Sequence, residues 1–246
     1  MEHQIVLKPE VIAYFRSFPI TNTMFVSWIV TAILSALGFW VGRNPKPIPS
    51  GIQNSFEAII EFGYNTVEEL AHSKAQVFFP LVMTFFLFIV TANWLGLLPG
   101  FATVGFFVSE HGKQAFVPLL RSPNSDLNAT LALALLSAVA THLFAIRYLG
   151  IKSYLLRWIS LNPIFLFVGI LEIVSEFTKV VSLSFRLFGN IFAGEVVLAT
   201  VTGIFAFLVP LPFYLLEIIV GFVQAAVFMM LTLVFMVLLS DRQTSH

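Results

Sequence analysis

The stretch SLSFRLFGNIFAGE, residues 182–195, places an arginine in the middle of a long apolar run. Arg186 is permanently charged. On a helix its neighbours would be Ser182, Gly189 and Ala193, because residues three, four and seven apart share a face. Small side chains on one face let a second backbone come close. The stretch therefore predicts a helix that presents one fixed charge to a closely packed partner.

The rest of the chain has the composition of an integral membrane protein. Of its 246 residues, 58% are hydrophobic and only 11% are charged, and the mean hydropathy is +0.92. A soluble domain would carry roughly 25% charged residues. The net charge of zero argues against a nucleic-acid partner, and the lack of cysteine excludes disulfides and thiolate metal sites. The N-terminal residues lack the features of a cleaved signal peptide, so we expect the first apolar run to be retained as a span.

Apolar runs predict an all-α polytopic membrane protein. We expect upright spanning helices, each with about the 20 residues that cross a bilayer, over 24–41, 77–98 and 127–146. In residues 50–70, apolar residues recur at helical spacing, and Glu57, Glu61 and Glu68 form a second stripe. This pattern predicts an amphipathic surface helix. Residues 1–22 and 102–125 are predicted to be external segments.

The last two apolar segments are longer than an upright span. Within the segment 158–207, a continuous helix from Pro163 to about Phe207 would be about 65 Å long, roughly twice the ~30 Å hydrocarbon core. It must therefore either break near Gly189, Gly194 or Gly203 or lie strongly tilted. The segment 213–240 is also long. Arg43 and Lys46 follow the first span, and more basic residues follow the third, which predicts an external N-terminus and a cytoplasmic C-terminus.

Ionisable side chains at membrane depth are costly and need a reason. Glu172, Glu176 and Lys179 are spaced for structural ion pairs within one helix. Glu195 lies nine residues beyond Arg186 and therefore on the opposite face.

Other polar residues in the apolar segments add to this set. Glu217 and Gln224, seven apart, share a face of the last helix. His142 could relay protons, although a lone histidine in a span is more often a packing residue. We find no hydrolase, nucleotide-binding or metal-binding signature, so we expect no cofactor and no catalysis by the chain alone. These patterns leave a transporter, a channel and a pump subunit open.

The stretch 182–195 resembles the signature of subunit a of F-type ATP synthases. The run NWLGLLPG at 93–100 resembles that family's second spanning helix and its exit, and the similarity extends from about residue 23 to 240. The resemblance implies a stator beside a ring of c subunits, connected to peripheral stalk b subunits and the rest of the complex in the lipid bilayer. Its two long helices would lie tilted along the ring, and two offset half-channels would carry protons.

The resemblance also implies roles for individual residues. Arg186 would separate the half-channels, and Glu195 and Glu217 would relay protons, with Asn190 and Gln224 nearby. Residues that would line the half-channels are Asp126, Asn128 and His142. We expect a cell membrane, with an energy-transducing organellar membrane as the alternative location. A stand-alone channel or secondary transporter is the alternative function, disfavoured because no internal repeat is visible.

Overall fold

The computed structural model describes residues 9–43, 51–98, 100–110, 113–158, 163–204 and 208–241. Seven α-helices, three short 3₁₀-helices at 72–74, 101–103 and 123–125, and two antiparallel β-hairpins make up this part of the chain. In order the elements are β1 Val11–Phe15, β2 Phe18–Thr21, α1 Asn22–Arg43, α2 Ile52–Ala71, α3 Ala75–Gly96, β3 Gly105–Glu110, β4 Lys113–Pro118, α4 Leu127–Leu149, α5 Ile151–Trp158, α6 Pro163–Ile204 and α7 Pro210–Ser240.

Five helical segments of the described chain are long and apolar enough to cross a membrane: 22–43, 53–96, 127–149, 167–204 and 210–240. The prediction of an all-α polytopic membrane protein is therefore confirmed. Helices suit these sequences because a bilayer offers no water to satisfy backbone groups, which a helix satisfies internally.

Helix α6 is continuous over 42 residues, or about 63 Å. The expected alternative of a break near Gly189 or Gly194 is thus wrong, since both lie inside the helix, whereas Gly203 is the last residue but one of α6. A glycine costs only about 1 kcal/mol in a helix interior, less than the unpaired backbone groups that a break would create among apolar side chains. Helix α7 starts at Pro210, because its two prolines occupy the first turn, where their missing N–H groups have no helical partner.

The structure adds elements that the sequence did not predict. The N-terminal and 102–125 segments each contain a hairpin, β1–β2 and β3–β4. Trp158, expected at the start of the long helix, ends the separate helix α5. Parts of the predicted segments lie outside the described residues: 1–8, 50, 111–112, 159–162 and 205–207.

One compact unit comprises residues 1–47, 86–130 and 186–226. Val26 and Val30 of α1 are fully buried against Ala92 of α3, with partly buried apolar side chains around them. The start of α1 is fixed by the side chain of Asn22, which donates to the Pro118 carbonyl of β4 at 3.1 Å. This unit contains Arg186, Glu195 and Glu217.

The second unit comprises residues 48–85, 131–185 and 227–246. Phe78 of α3 is fully buried and makes edge-on ring contacts with Phe144 and Tyr148 of α4. Helix α2 packs on α3 through Gly63, where a side chain would collide with the sulfur of Met83. The apolar stripe expected on α2 is only partly buried. Val67 is buried, whereas Ile59, Ile60 and Leu70 are exposed and remain available to lipid or a partner.

Candidate functional site

Glu217 of α7 lies directly against α6 at Gly194. A Cβ at position 194 would overlap the Glu217 carboxyl group, including both of its oxygens. Only glycine therefore allows this carboxyl to rest on the α6 backbone. Glu195 follows Gly194 in the chain, so the contact brings the two predicted relay residues, Glu195 and Glu217, into electrostatic range of each other.

Glu195 also meets a cation that the sequence analysis missed. Its Oε2 lies 3.9 Å from a terminal guanidinium nitrogen of Arg121, which belongs to the segment between β4 and α4. The Nε of Arg121 donates to the hydroxyl of Ser125 at 3.1 Å. We call Arg121, Glu195 and Glu217 the Arg121 group.

One signal in the sequence could have found Arg121. The predicted topology places it in an external loop, where basic residues are less common than in cytoplasmic loops. A lone arginine at the external end of a span needs a partner, and an acidic residue at membrane depth is the natural one.

The end of α3 fixes the position of α7 next to Glu217. Asn93 donates to the Gly221 carbonyl at 3.0 Å, and the indole of Trp94 donates to the Ile218 carbonyl at 3.1 Å. Asn124 donates in turn to the Asn93 side chain at 2.7 Å. These bonds fix the position of α7, and therefore of Glu217, relative to the end of α3.

Asp126 is buried and serves as the N-cap of α4. Its Oδ1 accepts the backbone N–H of Asn128 at 2.9 Å, and its Oδ2 accepts the hydroxyl of Thr23 at 2.9 Å. The Asn128 side chain, otherwise exposed, donates to the same Oδ1 at 3.2 Å. Both oxygens of Asp126 thus join α1 to the start of α4.

Arg186 lies apart from the Arg121 group. Its side chain is exposed and makes no hydrogen bond or ion pair with any residue that the structure describes. The helix face beside it is open, since a Cβ at Gly189 would meet nothing within 4 Å and Ala193 is exposed. Asn190 and Gln224 are half-buried.

The second unit holds another set of ionisable side chains. Lys179 donates to Glu176 at 2.6 Å, one turn apart in α6, and its ammonium lies 4.7 Å from the ring centre of Phe235. The Nε2 of His142 is 4.0 Å from the other Glu176 oxygen, and its Nδ1 shares a 3.0 Å hydrogen bond with Tyr154. We call His142, Glu176 and Lys179 the Lys179 group.

A small cavity adjoins the Lys179 group. Its volume of about 10 Å³ is close to that of a single water site, and Ser137, Thr141, Glu176 and Lys179 supply its polar lining. Glu172 lies one turn before Glu176 and is half-buried. Within the described ranges no cluster of histidine and acidic residues could hold a metal ion.

Comparison with known proteins identifies the family. The family model described as ATP synthase A chain matches residues 24–237. The chain belongs to the ATP synthase A chain family.

Individual members of that family are similar over nearly the whole chain. The protein named ATP synthase subunit a of Moorella thermoacetica is 33% identical over 229 residues, which is 93% of this chain and 95% of the relative. That of Geotalea uraniireducens is 34% identical over 212 residues, or 85% and 83%. The resemblance carried by residues 182–195 is therefore confirmed. Membership in the ATP synthase A chain family makes the chain a multi-pass membrane component of an ATP synthase and does not favour a stand-alone channel.

Proposed function

We propose that this chain is the stator of a rotary proton-translocating ATP synthase and that it carries protons to and from the carboxylates of a c-ring through two offset half-channels. The observation that carries the proposal is the state of Arg186. It is exposed and unpaired among the described residues, on a helix face bordered by Gly189 and Ala193. An unpaired charge at membrane depth is costly, so the assembled complex must supply its partner.

A carboxylate on a c subunit fits this requirement. In lipid such a group must be neutral, because an ionised carboxylate is very costly there. Beside Arg186, at ~4 Å and an effective dielectric constant of ~20, attraction favours the ionised form by about 4 kcal/mol. The proton then leaves toward the exit path. Because arginine does not deprotonate, the site never becomes a neutral leak between the half-channels.

The Arg121 group supplies the relay of one half-channel. Glu195 and Glu217 are close to each other on neighbouring helices, whereas Glu195 points away from Arg186 by the helical spacing. Glu195 and Glu217 can therefore exchange protons without Arg186 neutralising their negative charge. Asn190 and Gln224 complete the polar surroundings, while Asp126 and Asn128 contribute to the wall as the cap of α4.

The other half-channel passes His142, whose two ring nitrogens face Tyr154 and Glu176. Glu172, Glu176 and Lys179 form its charged scaffold. We place the N-terminus outside and the C-terminus in the cytoplasm of a cell membrane, following the basic loops at Arg43 and Arg147. The peripheral stalk b subunits contact the chain at α2, which exposes Glu61 and Glu68.

The test is proton pumping by the assembled complex in membrane vesicles. Arg186→Ala is expected to abolish ATP-driven pumping while the complex still co-purifies with its c subunits. Arg186→Lys is expected to fail as well, since lysine lacks the planar donor fork and can lose its proton when buried. The matched control is Arg147→Ala, an exposed arginine at the end of α4. Normal pumping by either Arg186 variant would overturn the proposal.

A further inference from the structure

Arg121 is a second arginine at the candidate proton path, and it differs from Arg186 in almost every respect. Its side chain is only 13% exposed, against 34% for its partner Glu195. It comes from a connecting segment rather than from a long helix. It is also anchored, because Nε is committed to the Ser125 hydroxyl.

The geometry between Arg121 and Glu195 is loose. Their nearest charged atoms are 3.9 Å apart, beyond the 2.7–2.9 Å typical of a charge-assisted hydrogen bond. The guanidinium therefore contributes positive charge without fixing the carboxylate in one hydrogen-bonded arrangement. A proton-relaying carboxylate requires this combination, since it must ionise and also remain free to take up a proton.

The charges around Glu195 explain why a cation is needed. Two charged side chains among the described residues act on Glu195: Arg121 and Glu217. Glu217, on the neighbouring helix, places a second acid close to Glu195, and the Arg121 guanidinium is the positive charge that faces Glu195. One arginine compensates one carboxylate, so the group is neutral when the two acids share a single proton.

We propose that Arg121 is a positioning residue of the proton path, whose charge keeps the pair Glu195 and Glu217 holding one exchangeable proton. The proposal rests on the relay role given to these acids under the proposed function. The hydrogen bond to Ser125 accounts for anchoring of the connecting segment. The proposal adds a separate role, in which the charge of the Arg121 guanidinium acts on proton exchange.

The experiment measures ATP-driven and passive proton flux across a pH series, with the whole ATP synthase reconstituted in vesicles. Arg121→Gln is expected to slow flux about tenfold near neutral pH. It should also raise the pH of half-maximal flux by about one unit, in the range that a nearby opposite charge produces. The sign follows because loss of the cation disfavours the ionised acid, so proton release needs a higher pH. Arg121→Lys should restore the parent profile, and Arg147→Gln is the matched control.

Coupling to Glu195 separates this role from simple anchoring. In a Glu195→Gln background, Arg121→Gln should produce a much smaller further shift of the pH profile, since the carboxylate that faces Arg121 is gone and only Glu217 still titrates. An unshifted profile for Arg121→Gln alone, an equal shift in both backgrounds, or no rescue by lysine would each overturn the proposal.

A titratable substitution keeps the test decisive if Arg121→Gln does not assemble. Arg121→His carries its charge only at low pH, so its flux relative to Arg121→Lys should fall as the pH rises through the imidazole range. Parallel profiles for the two variants would contradict an electrostatic role. If Arg186→Ala is inactive while Arg121→Gln behaves like the parent, this inference fails and the proposed function stands. If Arg186→Ala pumps normally, the proposed function itself fails.

Discussion

The Arg121 group and the Lys179 group combine similar side chains in different ways. In the Lys179 group a cation and an acid are hydrogen-bonded at 2.6 Å within one helix, and the cation also lies over an aromatic ring. In the Arg121 group only one of the two neighbouring acids, Glu195, lies within 4 Å of the cation, at 3.9 Å, and the contributing residues come from three separate segments. The hydrogen-bonded pair of Lys179 and Glu176 leaves little capacity for proton exchange, whereas the Arg121 group contains one more acid than cations. We infer that the pair of Lys179 and Glu176 is a scaffold and that the Arg121 group is a relay.

The largest expected effect is in the Arg121 group. Glu217→Gln keeps the shape of the side chain but cannot titrate, so proton flux should fall by about 100-fold, the scale of a lost acid–base group. Glu217→His should keep part of the flux because imidazole titrates near neutral pH. Glu195→Gln should lose less, because the Glu195 side chain is 34% exposed and water can take its place. Flux in reconstituted vesicles over a pH series measures all three, with Asp241→Asn, an exposed acid just after α7, as control. Parent-like flux for Glu217→Gln at every pH would make Glu217 a packing residue.

A smaller effect is expected when the Glu217 carboxyl is displaced but not removed. Gly194→Ala puts a methyl group where the carboxyl now lies, so flux should drop roughly tenfold through misplacement of the relay. Gly203→Ala is the matched control in the same helix, because a Cβ there meets nothing within 4 Å. Equal flux in the two variants would mean that the contact between Glu217 and α6 has no bearing on proton transfer.

Breaking the pair of Lys179 and Glu176 should lower stability and spare conduction. Lys179→Met leaves the half-buried Glu176 without its cation and should cost about 1–3 kcal/mol in the free energy of unfolding. The double variant Lys179→Met with Glu176→Gln should recover part of this loss. Thermal unfolding of the detergent-solubilised complex measures the loss, and the exposed Lys152→Met is the control. A large loss of proton flux with unchanged stability would make this pair part of the relay instead.

The smallest effect concerns a neutral contact in the same unit. The hydroxyls of Ser137 in α4 and Thr232 in α7 are 2.8 Å apart and buried. Ser137→Ala should lower stability by about 0.6 kcal/mol, the average for such bonds between membrane helices. Thermal unfolding against the exposed Ser153→Ala checks this value. A loss as large as that of Lys179→Met would show that the charged pair contributes no more than an ordinary hydrogen bond.

Much of the fold could be predicted because it depends on local properties. Runs of about 20 apolar residues identify spanning helices, and the predicted bounds of α1, α3 and α4 differ from the observed ones by only a few residues. The two hairpins were missed because their strands, of four to six residues, are too short to show a clear periodicity. Residues 182–195 predicted the family, and the comparisons confirmed it.

The sequence by itself determined the membrane class, the family and the opposite faces of Arg186 and Glu195. The membrane class follows from composition, the family from the resemblance of residues 182–195, and the opposite faces from the fixed rotation of 100° per residue along one helix. Only the tertiary structure decided that Arg121 meets Glu195, that Glu217 rests on Gly194 and that Asp126 caps α4 while binding Thr23. The physical reason is that these contacts join segments far apart in the chain. Helical periodicity orders residues within one element and does not specify which face of another element it will meet.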